Sequence, residues 1–315
     1  MRVVEVENLR KVFGDTVAVD GISFGVEGGE IVALLGPNGA GKTTTIKSIL
    51  NLIVPDSGRI VVAGRDIRPG DYWLYDFISG VLEGNRNIYW RLTVEQNIRF
   101  FAGLSGRKIS KGEIDGILER FGLGEKRKTE ARNLSRGMQQ KLAIASVLAR
   151  KTPILILDEP TLGLDVDTTY QLMEIVRSLR EDMGRTIIVS SHNMRFVENT
   201  ADRVIFINRG RIVAEGSVEQ LKRMFSYETY MFRVSGGNIS PQGIFPDGKV
   251  ERVGDEWRIY VSLNQSEIYD AVDALRSNGF LLKEIRLQEP DLESIYMRVM
   301  KEERSDETAP GDGNA

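Results

Sequence analysis

The chain has 315 residues, of which 41% are hydrophobic and 28% charged, a composition typical of a soluble globular protein with about two domains. Its formal net charge of −3 argues against wholesale nucleic-acid binding, and the absence of cysteine excludes disulfides and thiolate metal sites. The first residues show no apolar signal segment and the longest apolar runs are too short to span a bilayer, so we expect a cytoplasmic protein with no nucleic-acid partner.

Short apolar strands alternate with helical segments over the first two thirds of the chain. Two strand patterns flank a turn at Gly14–Asp15, and the buried run IVALL ends just before Gly36. A helix is predicted from Gly41, and residues 93–151 are mostly amphipathic helix. The later runs ILILDEP and TIIVSSH are further buried strands with a helix between them. This alternation predicts an α/β fold with a parallel sheet covered on both faces.

The pattern changes after a predicted hairpin turn at Asn208–Gly210. From about Tyr227 the sequence shows three strand patterns, YMFRVSG, EWRIYVSL and FLLKEIRL. One helical pattern lies between the second and third strands, and another follows the third. We therefore predict a first domain over residues 1–225 and a small α+β domain over 226–303. Residues 304–315 are polar and are expected to be disordered.

A glycine-rich segment, GPNGAGKT at residues 36–43, matches the phosphate-loop pattern G-x-x-x-x-G-K-[ST] between a strand and a helix. Glycines allow backbone N–H groups to close around phosphates, and the helix N-terminus adds the positive end of its dipole. Lys42 can reach the β- and γ-phosphates, and the hydroxyl of Thr43 can ligate Mg²⁺. A chance glycine-rich turn is the alternative, but the strand before it and the helix after it favour a phosphate site.

Three polar residues follow two of the predicted buried strands. Asp158 and Glu159 end one strand, and His192, the single histidine, ends another. Ligands of open α/β sheets bind at this edge, so Asp158 can serve Mg²⁺ and Glu159 can act as general base on a water. His192 can donate a hydrogen bond to the γ-phosphate. The alternatives are a helix-capping acid pair and an ordinary surface or core histidine.

These motifs, in this order, resemble the nucleotide-binding subunit of ATP-binding cassette (ABC) transporters over about residues 1–225. LSRGMQQ at 134–140 is similar to the family's signature, LGLD at 162–165 to its D-loop, and His192 to its switch histidine. The resemblance implies a P-loop NTPase ABC-type ATPase core with an antiparallel β subdomain and a helical subdomain at about 93–151. It also implies ATP and Mg²⁺ as cofactors.

The resemblance further implies a homodimer, or a pair with a related cassette, that sandwiches two ATP molecules. Ser135, Gly137 and Asp165 would then act across the dimer interface, and Ser135 is a plausible N-cap for the helix that follows it. The residues implied in nucleotide binding within one chain are Phe13 on the adenine, Gly36, Pro37, Asn38, Gly39, Ala40, Gly41, Lys42, Thr43 and Thr44.

The chain departs from the family at several motif positions. Arg136 and Met138 replace a glycine and a glutamine of the signature, and Leu162 replaces a small polar residue of the D-loop. Glu83 stands where the family has a glutamine that reaches Mg²⁺ and the water. A carboxylate there can fill both roles, which makes Glu83 a candidate metal ligand and catalytic residue. The alternative is a surface acid that misses the site.

The resemblance also implies a membrane partner. The loop after Glu83 contacts a permease in the family, so Arg86, Ile88, Tyr89 and Trp90 are predicted to face one; local packing under the helical subdomain is the alternative. The C-terminal domain resembles that of drug-resistance and sodium-efflux subunits, which pair with ABC-2-type exporter permeases. We therefore expect a peripheral protein on the inner face of the cell membrane. The rival interpretations are a soluble ABC ATPase acting on ribosomes or DNA and a non-catalytic cassette.

Overall fold

The computed structural model describes residues 1–84, 87–224, 229–264, 266–288 and 291–299, and it divides into two compact units, Met1–Val218 and the residues from Glu219 onward. The strands of the first unit are β1 (Arg2–Phe13), β2 (Thr16–Glu27), β3 (Ile31–Leu35), β4 (Ser57–Val62), β5 (Arg65–Asp66), β6 (Ile78–Val81), β7 (Ile154–Asp158), β8 (Thr186–Ser191), β9 (Arg203–Asn208) and β10 (Arg211–Ser217). Its helices are α1 (Lys42–Ile49), α2 (Val94–Leu104), α3 (Lys111–Arg120), α4 (Arg136–Leu148), α5 (Val166–Glu181) and α6 (Met194–Thr200).

The core sheet of the first unit has the strand order β10-β9-β3-β8-β7-β6. The neighbours from β9 to β6 pair in parallel, and only β10 is antiparallel, joined to β9 by the turn predicted at Asn208–Gly210. All residues of β3, β7 and β8 are buried, as continuous apolar runs require in a sheet that is covered on both faces. The carboxyl ends of these three central strands therefore lie at one edge of the sheet.

A second, antiparallel sheet has the order β2-β1-β4-β5, with β1 and β2 joined through the predicted turn at Gly14–Asp15. Side chains from this sheet and from β3, α1 and β7 share one hydrophobic cluster, which includes Val4, Ile22, Leu34, Ile46 and Ile156. The common cluster fixes α1, and the loop before it, between the two sheets.

The helical segment between β6 and β7 begins each of its three helices with a side-chain cap. Thr93 and Gln96 form a capping box at α2, and Ser110 and Glu113 form another at α3. At α4 the Ser135 hydroxyl accepts the N–H of Met138 at 3.3 Å, so the predicted cap is present. Each cap satisfies amide groups that a helix start leaves without partners.

The second unit contains a four-stranded antiparallel sheet in the order β12-β13-β11-β14, from β11 (Thr229–Gly236), β12 (Lys249–Val253), β13 (Glu256–Ser262) and β14 (Phe280–Gln288). Helix α8 (Glu267–Ser277) and residues 292–299 are its other helical parts, while α7 (Val218–Met224) spans the division between the units. Phe232, Ile259 and Leu275 are nearly inaccessible in its core.

The predicted α/β fold is confirmed for the first unit. The sequence patterns missed β6, β12 and the short β5, and they extended α1 beyond Ile49, where the chain leaves the helix through Asn51 at φ +57°. Among the described residues, every helix is too short or too polar to cross a bilayer. The predicted disordered tail, 304–315, lies outside the described residues.

Candidate active site

The loop Gly36–Gly41 joins the end of β3 to the first turn of α1. A Cβ on Gly36 would lie 2.1 Å from the carbonyl oxygen of Ile207, so only glycine fits there, and Gly41 has φ +107°. The Lys42 ammonium, 5% exposed, donates to the carbonyl oxygens of Gly36 at 2.7 Å and Pro37 at 3.1 Å. The loop is thus folded back over the helix N-terminus, in the arrangement that suits an anion.

Asp158 is the last residue of β7, and among the described residues only one of its two carboxylate oxygens accepts hydrogen bonds. Its Oδ1 accepts hydrogen bonds from the hydroxyls of Thr43 at 3.1 Å and Ser190 at 2.5 Å. Its Oδ2 is buried and has no hydrogen-bond partner in the part of the chain that the structure describes. A buried carboxylate oxygen without a partner is costly, and Mg²⁺ is commonly bound by one or two carboxylates together with substrate phosphates. The residues present therefore fit Mg²⁺ at this position.

Glu159 is fixed in an uncommon backbone conformation at the end of the same strand. Its φ is +50°, which a non-glycine residue adopts at a cost of roughly 1–3 kcal/mol, and its N–H donates to the carbonyl oxygen and hydroxyl of Ser190. The carboxylate is buried between Lys42 Nζ at 3.6 Å and His192 Nδ1 at 2.8 Å. The ends of β7 and β8 and the start of α1 thus meet at one carboxylate.

A cavity of about 60 Å³ extends from these acids to the loop after β6. Glu83 lines it together with Asp158 and Glu159, so the structure places Glu83 beside the predicted site, although its side chain is exposed. Asn87 braces this loop, because its side chain donates to the carbonyl oxygens of Leu82 at 2.6 Å and Gly84 at 3.0 Å. Whether Glu83 ligates the metal stays a prediction.

The loop that follows Glu83 divides into a buried and an exposed part. Ile88 is only 8% exposed and lines the cavity, so the prediction that it faces a partner is wrong. Tyr89 and Trp90 are 50% and 37% exposed, with the ring of Tyr89 edge-on to Phe100 at 4.4 Å between centroids. The side chain of buried Asn97 holds the N–H and C=O of Tyr89. Arg86 lies outside the described residues.

The signature residues surround the start of α4. Ser135, the N-cap residue of α4, is exposed. Gly137 is buried, and a Cβ at this position would lie 2.5 Å from Thr168 Cγ2. Asp165 caps α5 by accepting the N–H of Thr168 at 2.7 Å, and this backbone hydrogen bond lowers the pKa of Asp165. All three residues have local structural roles in this chain. Their roles across a dimer stay predictions.

Phe13, predicted to stack on adenine, ends β1 with 48% of its surface exposed. The ammonium of Lys11 lies 5.4 Å from the centre of its ring and is paired with Asp56 at 2.9 Å. One face of the ring is thus occupied by a cation, and its exposed surface remains for a base.

Three residues in or next to the site were not singled out from the sequence: Ser190 and Asn87 within it, and Asn97 behind the loop that carries Tyr89. Ser190 contacts both strand-end acids, and its place in VSSH, one residue before the strand ends, was an available signal. The two asparagines are polar residues that hold irregular backbone, and a local pattern does not distinguish them from surface residues.

A glycine loop closed over a helix N-terminus, with strand-end acids and a buried lysine beside it, defines a P-loop nucleotide-binding protein. Residues 19–162 match the family model described as ABC transporter. The chain is 30% identical over 308 residues to the linearmycin resistance ATP-binding protein LnrL of Bacillus subtilis (strain 168), covering 94% of this chain and 97% of that protein. The chain therefore belongs to the ABC transporter family, as one of its ATP-binding members.

Two other comparisons agree with this assignment. The chain is 38% identical over 222 residues to the probable multidrug ABC transporter ATP-binding protein YbhF of Escherichia coli (strain K12), a match that spans 70% of this chain but only 38% of that protein. The dimeric structure of an ATP-binding cassette in a post-hydrolysis state, bound to ADP and Pi, superposes with a TM-score of 0.61 at 26% identity, covering 68% of this chain and 98% of that one. The predicted ABC-type core is thereby confirmed.

Proposed function

We propose that this chain hydrolyses ATP with Mg²⁺ and, as a dimer, drives an export permease of the ABC-2 type from the inner face of the cell membrane. The observation that carries the hydrolytic part is the Glu159 carboxylate, held between Lys42 and His192 and next to an Asp158 oxygen without a partner. A non-catalytic cassette has no need to keep a strained, buried carboxylate at this point. We also propose residues 226–303 as an accessory domain.

The proposed reaction assigns each of its steps to one of these residues. Lys42 and the loop amides bind the phosphates, and Thr43 and Asp158 would hold Mg²⁺, which offsets phosphate charge when bound. Glu159 accepts a proton from the attacking water. Because Nδ1 of His192 already bonds the Glu159 carboxylate, Nε2 donates to the γ-phosphate only in the imidazolium form, in which both ring nitrogens carry a proton. Ser135 and Gly137 at the start of α4 offer the same kind of anion site to nucleotide held by a second copy.

Export is supported by the relatives, since LnrL is named for linearmycin resistance and YbhF for probable multidrug transport. These names do not favour the alternative, a soluble ATPase that acts on ribosomes or DNA. The full chain, tagged and captured from detergent-solubilised membranes, should bring down a polytopic membrane protein. Recovery of ribosomal proteins without such a partner would contradict the transporter function.

Replacing Tyr89 by alanine is expected to reduce capture of the permease while leaving basal ATP turnover within about twofold of the parent. Tyr89 is half exposed, and exposed aromatic side chains carry much of the binding energy at protein interfaces. Tyr72→Ala, which removes another exposed tyrosine outside this loop, is the control. Equal capture by the parent and the Tyr89 variant would place the interface elsewhere.

A further inference from the structure

Arg136, the first residue of α4, carries a charge that the proposed mechanism does not use. Its guanidinium lies over Gly163, in the space that a side chain there would fill: a Cβ on Gly163 would be 2.4 Å from Arg136 Cζ. Gly163 belongs to the loop between Glu159 and α5 and has φ +70°. The arginine is therefore seated against a loop that leads directly from the catalytic carboxylate.

Arg136 also lines the cavity of about 60 Å³ that is lined by Glu83, Asp158 and Glu159. Among the described residues, Glu159 has Lys42 and His192 as partners, and Asp158 has two hydroxyls, but Glu83 makes no ion pair. Arg136 is likewise without an ion pair or side-chain hydrogen bond in that part of the chain. Arg136 and Glu83, both exposed and both without an ion pair among the described residues, thus line one small cavity together with two other acids.

We propose that Arg136 is the counter-charge of Glu83 and sets how strongly Glu83 can serve the metal–nucleotide complex. The carboxylates of Glu83, Asp158 and Glu159 repel one another, and a guanidinium is the cation best suited to offset their charge because it is always charged and planar. Glu83 has one carboxylate to offer, so it divides its interaction between Arg136 and Mg²⁺. Arg136 is in this sense a positioning residue, and it connects the start of α4 to the loop after β6.

This inference rests on the proposed function, because it requires the site to bind ATP together with Mg²⁺. The measurement is the dissociation constant of a fluorescent, non-hydrolysable ATP analogue on the full chain, once with Mg²⁺ and once with EDTA. The ratio of the two constants isolates the contribution of the metal from that of the phosphate loop. No turnover is needed for this readout.

The ratio of the dissociation constant in EDTA to that in Mg²⁺ is the factor by which the metal tightens binding. Arg136→Met, which keeps a long side chain and removes the charge, is expected to increase this factor about two- to fivefold, the upper range of an exposed charge pair. Arg136→Lys should stay close to the parent. In the Glu83→Gln background, Arg136→Met should leave the factor unchanged, because the carboxylate for which Arg136 and Mg²⁺ compete is gone.

Arg132→Met is the matched control, since Arg132 lies on the same segment and pairs with Glu130. An equal change in this control would show a general effect of lost positive charge and would overturn the proposal. So would a change in Arg136→Met that persists without Glu83. A parent chain that binds the analogue equally well in Mg²⁺ and EDTA would instead refute the proposed Mg²⁺-dependent function, and the proposal with it.

Discussion

Glu159→Gln is expected to lower ATP turnover by about 10²–10⁴-fold, the usual contribution of a positioned general base. Glutamine keeps the shape of the side chain and cannot accept the proton from water, whereas Lys42, Thr43 and Asp158, the residues proposed to hold ATP and Mg²⁺, are unchanged. The variant should therefore accumulate with ATP bound, and a stable dimer should appear when ATP and Mg²⁺ are added. Phosphate release and size-exclusion chromatography with and without ATP measure the two effects.

The control for this substitution is Glu174→Gln, the same chemical change at an exposed residue of α5 that pairs with neighbouring Arg177. It should hydrolyse ATP at the parent rate and form no additional dimer. A Glu159→Gln chain with parental turnover would mean that another group accepts the proton, and Glu83, which lines the same cavity, would then be the candidate base.

Lys42→Ala is expected to weaken ATP binding by about 100-fold, equivalent to roughly 2.7 kcal/mol, which is the range of one charge-assisted hydrogen bond to phosphate. The substitution also removes the ammonium 3.6 Å from the buried Glu159 carboxylate and the two hydrogen bonds that close the loop. Turnover should fall with binding. Equilibrium titration with a fluorescent ATP analogue measures the loss.

Lys47→Ala on the same helix provides the comparison, because Lys47 lies near the end of α1 rather than at its start. Its affinity for ATP should match that of the parent. If Lys42→Ala binds ATP as well as Lys47→Ala, the loop amides alone hold the nucleotide, and the role given to the lysine is wrong.

The position of the site follows from the sequence because parallel strands bring their carboxyl ends to one edge. The buried runs before Gly36, Asp158 and His192 were recognisable from composition and length, and this was enough to bring their flanking residues together. The hairpin turns at Gly14–Asp15 and Asn208–Gly210 were equally local, since glycine and aspartate or asparagine favour the required backbone conformations.

Features that depend on distances between remote segments were not predictable in this way. Ile88 is an apolar residue in a loop, and only the packed structure shows it turned into the cavity rather than toward a partner. Strand β6 is four residues long and includes Gly80, so its composition gives no strand signal, and it exists because β7 pairs with it. The contact between Arg136 and Gly163 joins the start of α4 to the loop before α5, and neither local sequence predicts that the two segments meet.

The hydrogen bonds and the ion pair of the Lys42 ammonium affect how readily nucleotide is exchanged. Its ammonium already has two carbonyl oxygens and a carboxylate as partners, so a phosphate that draws it away gains only the difference between two sets of contacts. This lowers the affinity for ATP below what a solitary buried cation would give, and it also eases the departure of ADP, whose β-phosphate displaces the same contacts. These contacts thereby favour exchange of nucleotide over tight retention, as the proposed cycle of ATP hydrolysis requires.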